Sequence, residues 1–221
     1  MYKIALDGPS GSGKSVMAKA VAEKLGILYV DTGALYRAVG LYMYRNGIDI
    51  GNAEAVEAQL PKVRITLERG ADGQVVLLNG ENVNRDIRLP EISMYASKVS
   101  AIPAVRAFLL GLQRDTALTN NVIMDGRDIG TVIFPDAEVK IFLFASNEVR
   151  ARRRYLELKE KGVDTTYEAV LSDMIKRDEN DRTRAVAPAV PADDAIMLDS
   201  SEYTLEQTLD KILGIIESRI S

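Results

Sequence analysis

Hydrophobic and polar positions follow two kinds of pattern along this chain, one typical of strands and one typical of helices, and both occur before Leu25. Residues 3–7, KIALD, form a short apolar run that is typical of a buried strand, and an amphipathic helical run follows and ends at Leu25. The next strand-like run, ILYVDTG, ends in the helix-capping residues Asp31 and Thr32 and precedes a predicted helix over about 34–45. Strands that alternate with helices in this way predict an α/β fold with a parallel sheet.

The middle of the chain breaks this rhythm. Residues 62–88 alternate with a period of two and contain a D-G pair at 72–73 and an N-G pair at 79–80, which are typical of tight turns between antiparallel strands. We therefore predict a small antiparallel β insertion. Two helices are expected after it, over about 90–101 and 103–118.

The parallel pattern then returns. The predicted strands are VIMD at 122–125, VKIFLFA at 139–145 and AIMLDSS nearer the end, and the predicted helices cover about 147–161, 166–184 and 204–220. The sequence thus predicts one α/β unit that is interrupted by an antiparallel insertion.

Composition narrows the chemistry that this unit can perform. The 221 residues contain no Cys and no His, which excludes disulfides, thiol catalysis, Ser-His-Asp hydrolysis and zinc sites of the usual ligands. A formal net charge of -4 leaves no broad basic surface, so nucleic acid is not expected as a partner. We expect no membrane span, because no apolar run is long enough, and a cytoplasmic location, because Cys is absent and the N-terminus reads as a strand.

A glycine-rich loop follows the first predicted strand. GPSGSGKS matches G-x-x-x-x-G-K-[ST], in which backbone N–H groups and the N-terminus of the next helix surround phosphate oxygens. Lys14 can reach the β- and γ-phosphates, and Ser15 can bind Mg²⁺. A chance glycine turn is the alternative, but the strand before and the helix after favour a nucleoside triphosphate site. The predicted donor site comprises Gly8, Pro9, Ser10, Gly11, Ser12, Gly13, Lys14, Ser15 and Val16.

Charges are crowded into KRDENDRTRAVAP, residues 176–188, at the end of a predicted helix. At 100° per residue, Asp178 continues the apolar face of that helix, and Asp181 lies at its edge beside Arg177 and Arg184. Buried charges need partners. Either these side chains pair with one another in a salt-bridged helix end, or the face enters a cleft that holds an anionic ligand.

Two further arginines favour the cleft. Arg127 follows the predicted strand that ends at Asp125, and Arg37 lies one turn into the helix after VDTG. Ligands of α/β folds bind beyond the carboxyl ends of the strands, and convergent arginines recognise phosphate through bidentate hydrogen bonds. The run VRARRRYLELKEKG carries four more arginines, which cannot all share one helix face. They belong either to a solvated helix or to a mobile lid that closes over the transferring phosphate: Arg150, Arg152, Arg153 and Arg154.

With these residues in hand, the chain resembles the bacterial cytidylate kinases. The resemblance is carried, in order, by DGPSGSGKS, DTGALYR, SKVSAIPAVR, DGRDIGTVIFPDA, KRDENDRTRAVAP and LDSSEYTLEQ, which span nearly the whole chain. It implies a three-layer P-loop kinase fold with a central parallel sheet, and transfer of the γ-phosphate of Mg-ATP to CMP or dCMP by a monomer. It also implies three parts: a core at 1–33, 119–146 and 165–221, a monophosphate-binding subdomain with the β insertion at about 34–118, and a lid at about 147–164.

The resemblance also implies roles for individual residues. Thr32 stands near the acceptor, where many relatives have Ser, and keeps the hydroxyl. The implied catalytic residues are Lys14, Arg127, Arg184 and Arg153. The implied acceptor residues are Ser97, Arg106 and Asp128 for cytosine, Arg177 and Asp181 for the sugar, and Arg37, Arg127 and Arg184 for the phosphate.

Phosphoryl transfer also agrees with the missing histidines. The second pKa of a phosphate monoester is about 6, so the acceptor phosphate is largely ionised at pH 7 and needs no general base. Asp125 is either a partner of the Mg²⁺ site or the cap of a turn. The alternatives to a cytidylate kinase are a kinase for another monophosphate or small metabolite, and a regulatory module that binds ATP with little turnover.

Overall fold

The computed structural model describes residues 1–70 and 73–220, and the chain divides into two compact units. The first unit combines Met1–Leu28 with Asn120–Ser221, and the second unit is Tyr29–Thr119. The strands are β1 (Lys3–Asp7), β2 (Leu28–Asp31), β3 (Ile65–Gly70), β4 (Gly73–Leu78), β5 (Glu81–Asn82), β6 (Val122–Gly126), β7 (Val139–Phe144) and β8 (Ile196–Asp199). The α-helices are α1 (Lys14–Leu25), α2 (Thr32–Arg45), α3 (Ala53–Glu57), α4 (Pro90–Val99), α5 (Pro103–Asp115), α6 (Asn147–Glu160), α7 (Tyr167–Thr183) and α8 (Leu205–Ile220).

A parallel sheet with the strand order β2-β6-β1-β7-β8 is central to the fold, and helices flank it. Strand β1 pairs in parallel with β6 and with β7, and its residues Ile4, Ala5 and Leu6 are fully buried. A strand covered on both faces reads as a continuous apolar run, which explains the KIALD pattern. Because Asp7 lies level with Gly126 in the register, the loops after β1 and β6 leave the sheet side by side.

The second unit packs helices α2, α4 and α5 with the antiparallel sheet β3-β4-β5 around one hydrophobic core. Helices α2 and α4 approach closely at Gly40, where an added Cβ would lie 3.0 Å from the backbone nitrogen of Ala96. Strands β4 and β5 are joined by Asn79 and Gly80, both of which have positive φ, as the N-G pair predicted.

The predicted α/β fold with its antiparallel insertion is therefore confirmed. The other predicted turn, the D-G pair, includes Asp72, which lies outside the described residues. Helix α2 begins earlier than predicted, because Asp31 alone is the N-cap and accepts a hydrogen bond from the N–H of Ala34, so Thr32 is the first helical residue and not a cap. Helices α4 and α5 end earlier than predicted, at Val99 and Asp115.

Three kinds of short element were not predicted. They are helix α3, the 3₁₀ turns Leu60–Lys62 and Asp86–Arg88, and a π-helical turn at Ile129–Ile133. In the part of the chain that the structure describes, every helix is too short or too polar to cross a membrane.

Candidate active site

The glycine-rich loop connects β1 to α1, the strand-loop-helix context that the motif requires. Gly11 and Gly13 have positive φ, which lets the backbone of the loop turn tightly. Gly8 is fixed by a close approach, since a Cβ there would lie 2.0 Å from the carbonyl oxygen of Leu143. The first turn of α1, KSVM, carries the cationic Lys14 and no carboxylate, so this helix N-terminus stays positive. The arrangement suits a phosphate group.

Lys14 and Ser15 sit at the start of this helix with different surroundings. Lys14 is only 7% exposed, and its Nζ donates to the carbonyl oxygen of Pro9 over 3.0 Å. Ser15 is exposed, and its Oγ donates to Oδ2 of Asp125, 2.7 Å away at the end of β6. Val16 is 55% exposed.

A hydroxyl and a carboxylate at this distance are the hard oxygen donors that Mg²⁺ prefers. Among residues 1–70 and 73–220, no three Asp or Glu side chains form a cluster that could hold a metal ion by themselves. Mg²⁺ commonly takes one or two protein ligands and completes its shell with phosphate oxygens and water. Ser15 with Asp125 therefore fits a cation that arrives with a nucleotide.

Two aspartates and two arginines alternate beyond the end of β6 and at the end of α7. Oδ2 of Asp181 accepts from Nε of Arg127 over 3.0 Å, and its Oδ1 lies 3.9 Å from Nη1 of Arg184. Nη2 of Arg184 in turn lies 3.4 Å from Oδ1 of Asp128. All four side chains are largely buried, so their charges interact at reduced screening. Arg177 is half-buried on α7 in the same unit.

Asp178 does not join this cluster. It faces the interior, as the helical periodicity predicted, but it pairs with Arg150 of α6 at 2.5 Å and not with its neighbours on α7. It also accepts from the N–H of Ser10 in the glycine-rich loop. The charged residues at 176–188 therefore do not all pair with one another, and they do not all face a ligand.

Asp7 is a buried acid directly before the glycine-rich loop, and the sequence interpretation did not single it out. Its two oxygens accept from the consecutive N–H groups of Ile129 and Gly130, at 2.9 and 2.8 Å. These donors belong to the π-helical turn that follows Asp128, and Asp7 itself precedes Gly8. Asp7 is 4% exposed, and this burial raises its pKa to about 6 against the pull of the two N–H groups. An acid at the end of β1, directly before a glycine loop, was the signal available in the sequence.

Four predicted acceptor residues lie in the second unit. Thr32 is buried at the start of α2, and Nη1 of Arg37 donates to Oγ of Ser93 over 2.8 Å. Arg106 is buried, with its guanidinium 5.4 Å from the ring centre of Tyr36 and a hydrogen bond to the carbonyl oxygen of Ser100. The fourth residue, Ser97, accepts a hydrogen bond at its carbonyl oxygen from the hydroxyl of Ser100. Both predicted base readers, Ser97 and Arg106, therefore contact Ser100 at the end of α4.

The four arginines of α6 point in different directions, as their spacing predicted. Arg150 is buried, Arg152 is exposed, and Arg154 is exposed in an ion pair with Glu157. Nη2 of Arg153 donates to the carbonyl oxygen of Ser200 over 3.0 Å. Arg150 is held by contacts inside the first unit, and the lid, with the part that its arginines play, stays a prediction.

Comparisons with known proteins agree on one family. The family model for cytidylate kinase matches residues 4–218. A protein named cytidylate kinase from Caldicellulosiruptor saccharolyticus is 50% identical over 212 residues, which cover 96% of this chain and 94% of that protein. Another of that name, from Thermosipho melanesiensis, is 46% identical over 217 residues, which cover 98% of this chain and 97% of that protein.

Among solved structures, an uncharacterized protein from Eubacterium ventriosum aligns with a TM-score of 0.50 and 16% identity, covering 99% of this chain and 100% of that one. A likeness at this identity shows the fold alone.

Proposed function

Because this chain belongs to the cytidylate kinase family, we propose that the residues described above divide between a site for ATP and a site for its acceptor. The protein is a nucleoside monophosphate kinase that transfers the γ-phosphate of ATP to CMP or dCMP. The observation that carries the assignment of residues is the glycine-rich loop between β1 and α1, with Lys14 and Ser15 at the start of the helix.

The donor site is assigned to Gly8–Val16. Backbone N–H groups of the loop and the positive end of α1 face the phosphates of ATP, and Lys14 exchanges its contact with the Pro9 carbonyl for the β- and γ-phosphates. Ser15 supplies a ligand oxygen to Mg²⁺, while Asp125 accepts the hydrogen bond of the Ser15 hydroxyl and fixes the direction of that hydroxyl. The cation, when bound, neutralises charge that develops on the phosphate oxygens.

The acceptor residues are assigned within each unit by itself, beginning with the first unit. Asp181 and Asp128 hold the guanidinium groups of Arg127 and Arg184 in direction, which supports a phosphate clamp. The carboxylate of Asp128 can also accept from the cytosine amino group, which uracil replaces with a carbonyl, so UMP should be a poor substrate. The other assigned residues keep the roles given above: Ser97 and Arg106 for the base, Arg177 and Asp181 for the sugar, and Arg37 for the phosphate, with Thr32 nearby.

The reaction needs positioning and charge neutralisation more than proton transfer. An ionised phosphate oxygen of CMP forms a bond to the γ-phosphorus as the bond to the β–γ bridging oxygen breaks, and ADP leaves with that electron pair. Lys14, Arg127 and Arg184 offset the repulsion between the two phosphates. Arg153, on α6, is assigned to the transferring phosphate as a lid residue.

The test is ADP production with Mg-ATP and, separately, CMP, dCMP, UMP, AMP, dTMP or no acceptor. We expect turnover with CMP and dCMP and little with UMP. Asp128→Ala should lower the ratio of CMP to UMP turnover, and Asp136→Ala, at a side chain 71% exposed, should leave it unchanged. Unchanged base choice in Asp128→Ala would reject the assignment of this reader, and ADP formed equally without acceptor would reject the assigned acceptor site.

Three further assignments accompany this function. The protein is assigned as a monomer that acts in the cytoplasm on free nucleotides, without nucleic acid as a partner. The acidic net charge supports the last of these assignments. Size-exclusion chromatography with light scattering measures the oligomeric state directly, and a stable dimer would overturn that part.

A further inference from the structure

Ser10, in the middle of the glycine-rich loop, is held through its backbone N–H and its backbone carbonyl. The N–H donates to Oδ1 of Asp178 over 3.1 Å, and the carbonyl oxygen accepts from Nη1 of Arg150 over 2.6 Å. The same Nη1 donates to Oδ2 of Asp178 over 2.5 Å. The three groups form a closed ring of charge-assisted hydrogen bonds around the backbone of one loop residue.

Further contacts fix the guanidinium of Arg150. Nε donates to the carbonyl oxygen of Ala145, and Nη2 donates to Oδ1 of Asn147, while the whole residue is 3% exposed. Every one of its nitrogens therefore has a protein partner. In this arrangement Nη1 of the guanidinium is directed to the loop, and Nε and Nη2 hold its orientation.

The loop also packs directly on the two helices that carry this pair. A Cβ added to Gly11 would lie 2.8 Å from Cε of Met174 on α7 and 3.6 Å from Cβ of Arg150 on α6. The next residues along the chain provide the N–H groups assigned to the phosphates. A change in the direction of the Ser10 backbone would therefore turn those groups as well.

We propose that Arg150 and Asp178 are positioning residues of the donor site, which orient the glycine-rich loop through Ser10. The inference rests on the proposed role of that loop in ATP binding. It gives α6 and α7 a part in shaping the donor site that is separate from any lid motion. A largely buried ion pair is often no more stabilising than well-packed apolar side chains, so stability by itself is a weak reason for this pair.

The kinetic test compares Asp178→Asn and Arg150→Met with two matched surface variants. Asn keeps an acceptor for the Ser10 N–H but offers no second carboxylate oxygen to the guanidinium, and Met removes the donor to the Ser10 carbonyl. Each variant should raise the KM for ATP by about tenfold or more and leave the KM for CMP unchanged. The controls are the neighbouring exposed pair of α7, changed as Glu179→Gln and Arg182→Met, and both KM values should stay at the wild-type level.

A merely structural role predicts a different result: a lower melting temperature and a smaller active fraction, with both KM values unchanged. That result would overturn the proposal. Arg150→Lys should recover part of the ATP affinity, because it keeps the charge and one donor. Lys14→Met distinguishes a failure of the assigned donor site from a failure of the positioning role. If Lys14→Met does not impair ATP use, the assigned donor site fails; if it does and Asp178→Asn leaves the KM for ATP unchanged, the positioning role alone fails.

A measurement on the wild-type protein does not depend on any variant's folding. Amide hydrogen exchange followed by NMR should find the Ser10 N–H protected in the nucleotide-free protein, because it donates to a largely buried carboxylate. Exchange at the rate of an exposed loop amide would overturn the proposal.

Discussion

Oγ of Ser15 lies 2.7 Å from Oδ2 of Asp125, so the first turn of α1 is tied to the end of the neighbouring strand β6. This contact bears on the two roles that the sequence left open for Asp125. A serine that binds a cation must direct its lone pairs to the metal and its O–H elsewhere. The Asp125 carboxylate is placed to accept the hydrogen bond from that O–H. The geometry favours a partner of the metal site over a cap of the turn.

The first prediction concerns the magnesium dependence of the reaction. Asp125→Asn should raise the Mg²⁺ concentration that gives half-maximal rate by about tenfold to a hundredfold. The reason is that an amide accepts the hydrogen bond from the Ser15 hydroxyl more weakly than a carboxylate does and carries no charge. The measurement is the initial rate across a magnesium titration, paired with the affinity for a fluorescent ATP analogue with and without Mg²⁺. The control is Asp136→Asn, at an exposed acid of the same unit. A parallel loss of affinity without Mg²⁺ would contradict a role at the metal.

The second prediction concerns Lys14. Lys14→Met keeps most of the length and the apolar stem of the side chain but removes the ammonium, so the charge that develops during transfer loses one counter-charge. We expect kcat to fall by about a hundredfold or more, with a smaller change in the KM for CMP. Lys19→Met, at an exposed lysine of the same helix, should behave as the wild type. Equal kinetics in the two variants would remove Lys14 from the catalytic assignment.

Local patterns in the sequence predicted much of the fold. The parallel strands, the helices between them and the N-G turn all depend on residues close together in the chain, and so does the strand-loop-helix context of Lys14. The 100° periodicity correctly directed Asp178 inward. Short elements were lost because helix α3 and the 3₁₀ turns contain too few residues to establish a period.

What the sequence could not supply was the identity of distant partners. Arg150 lies 28 positions before Asp178, and Ser10 lies 168 positions before it, so no spacing rule connects them. The π-helical turn after Asp128 was missed for the same reason. Two of its N–H groups are satisfied by Asp7, which is more than a hundred residues away in the chain.

The third prediction tests the close approach at the start of the loop. Gly8→Ala should destabilise the protein by about 3 kcal/mol or more, because its Cβ would lie 2.0 Å from the carbonyl oxygen of Leu143 and the strand backbone would have to move. The measurement is the free energy of unfolding in urea.

Gly214→Ala, inside helix α8, provides the opposite case, because apart from the adjacent residues and the nearby backbone of its own helix no atom of the described residues lies within 4 Å of its added Cβ. It should stabilise the protein by about 0.5–1 kcal/mol, since Gly in a helix interior is less favourable than Ala. Similar effects at Gly8 and Gly214 would show that the approach to Leu143 is not a constraint.

The fourth prediction concerns the pH dependence of stability that Asp7 produces. Burial raises its pKa to about 6 from an ordinary value of 3.8, so between these values the folded protein holds a proton that the unfolded chain has released. The stability contributed by protonated Asp7 is therefore fully present below about pH 4 and is lost as the pH rises through about 6. A shift of about two units corresponds to roughly 3 kcal/mol.

The Asp7→Asn variant isolates this effect. Asn cannot ionise, and although it loses one of the two acceptor oxygens for Ile129 and Gly130, that loss does not vary with pH. The free energy of unfolding of the wild type should therefore fall relative to that of Asp7→Asn between pH 4 and 7. Asp194→Asn provides the opposite sign in a different pH window. The hydrogen bond from Lys140 lowers the pKa of Asp194 below its ordinary value of 3.8, so its contribution should stay constant between pH 4 and 7 and be lost only as the pH falls below about 3.8. A constant difference between the wild type and Asp7→Asn over this range would show that Asp7 stays ionised when buried, with the two N–H groups outweighing the cost of burial.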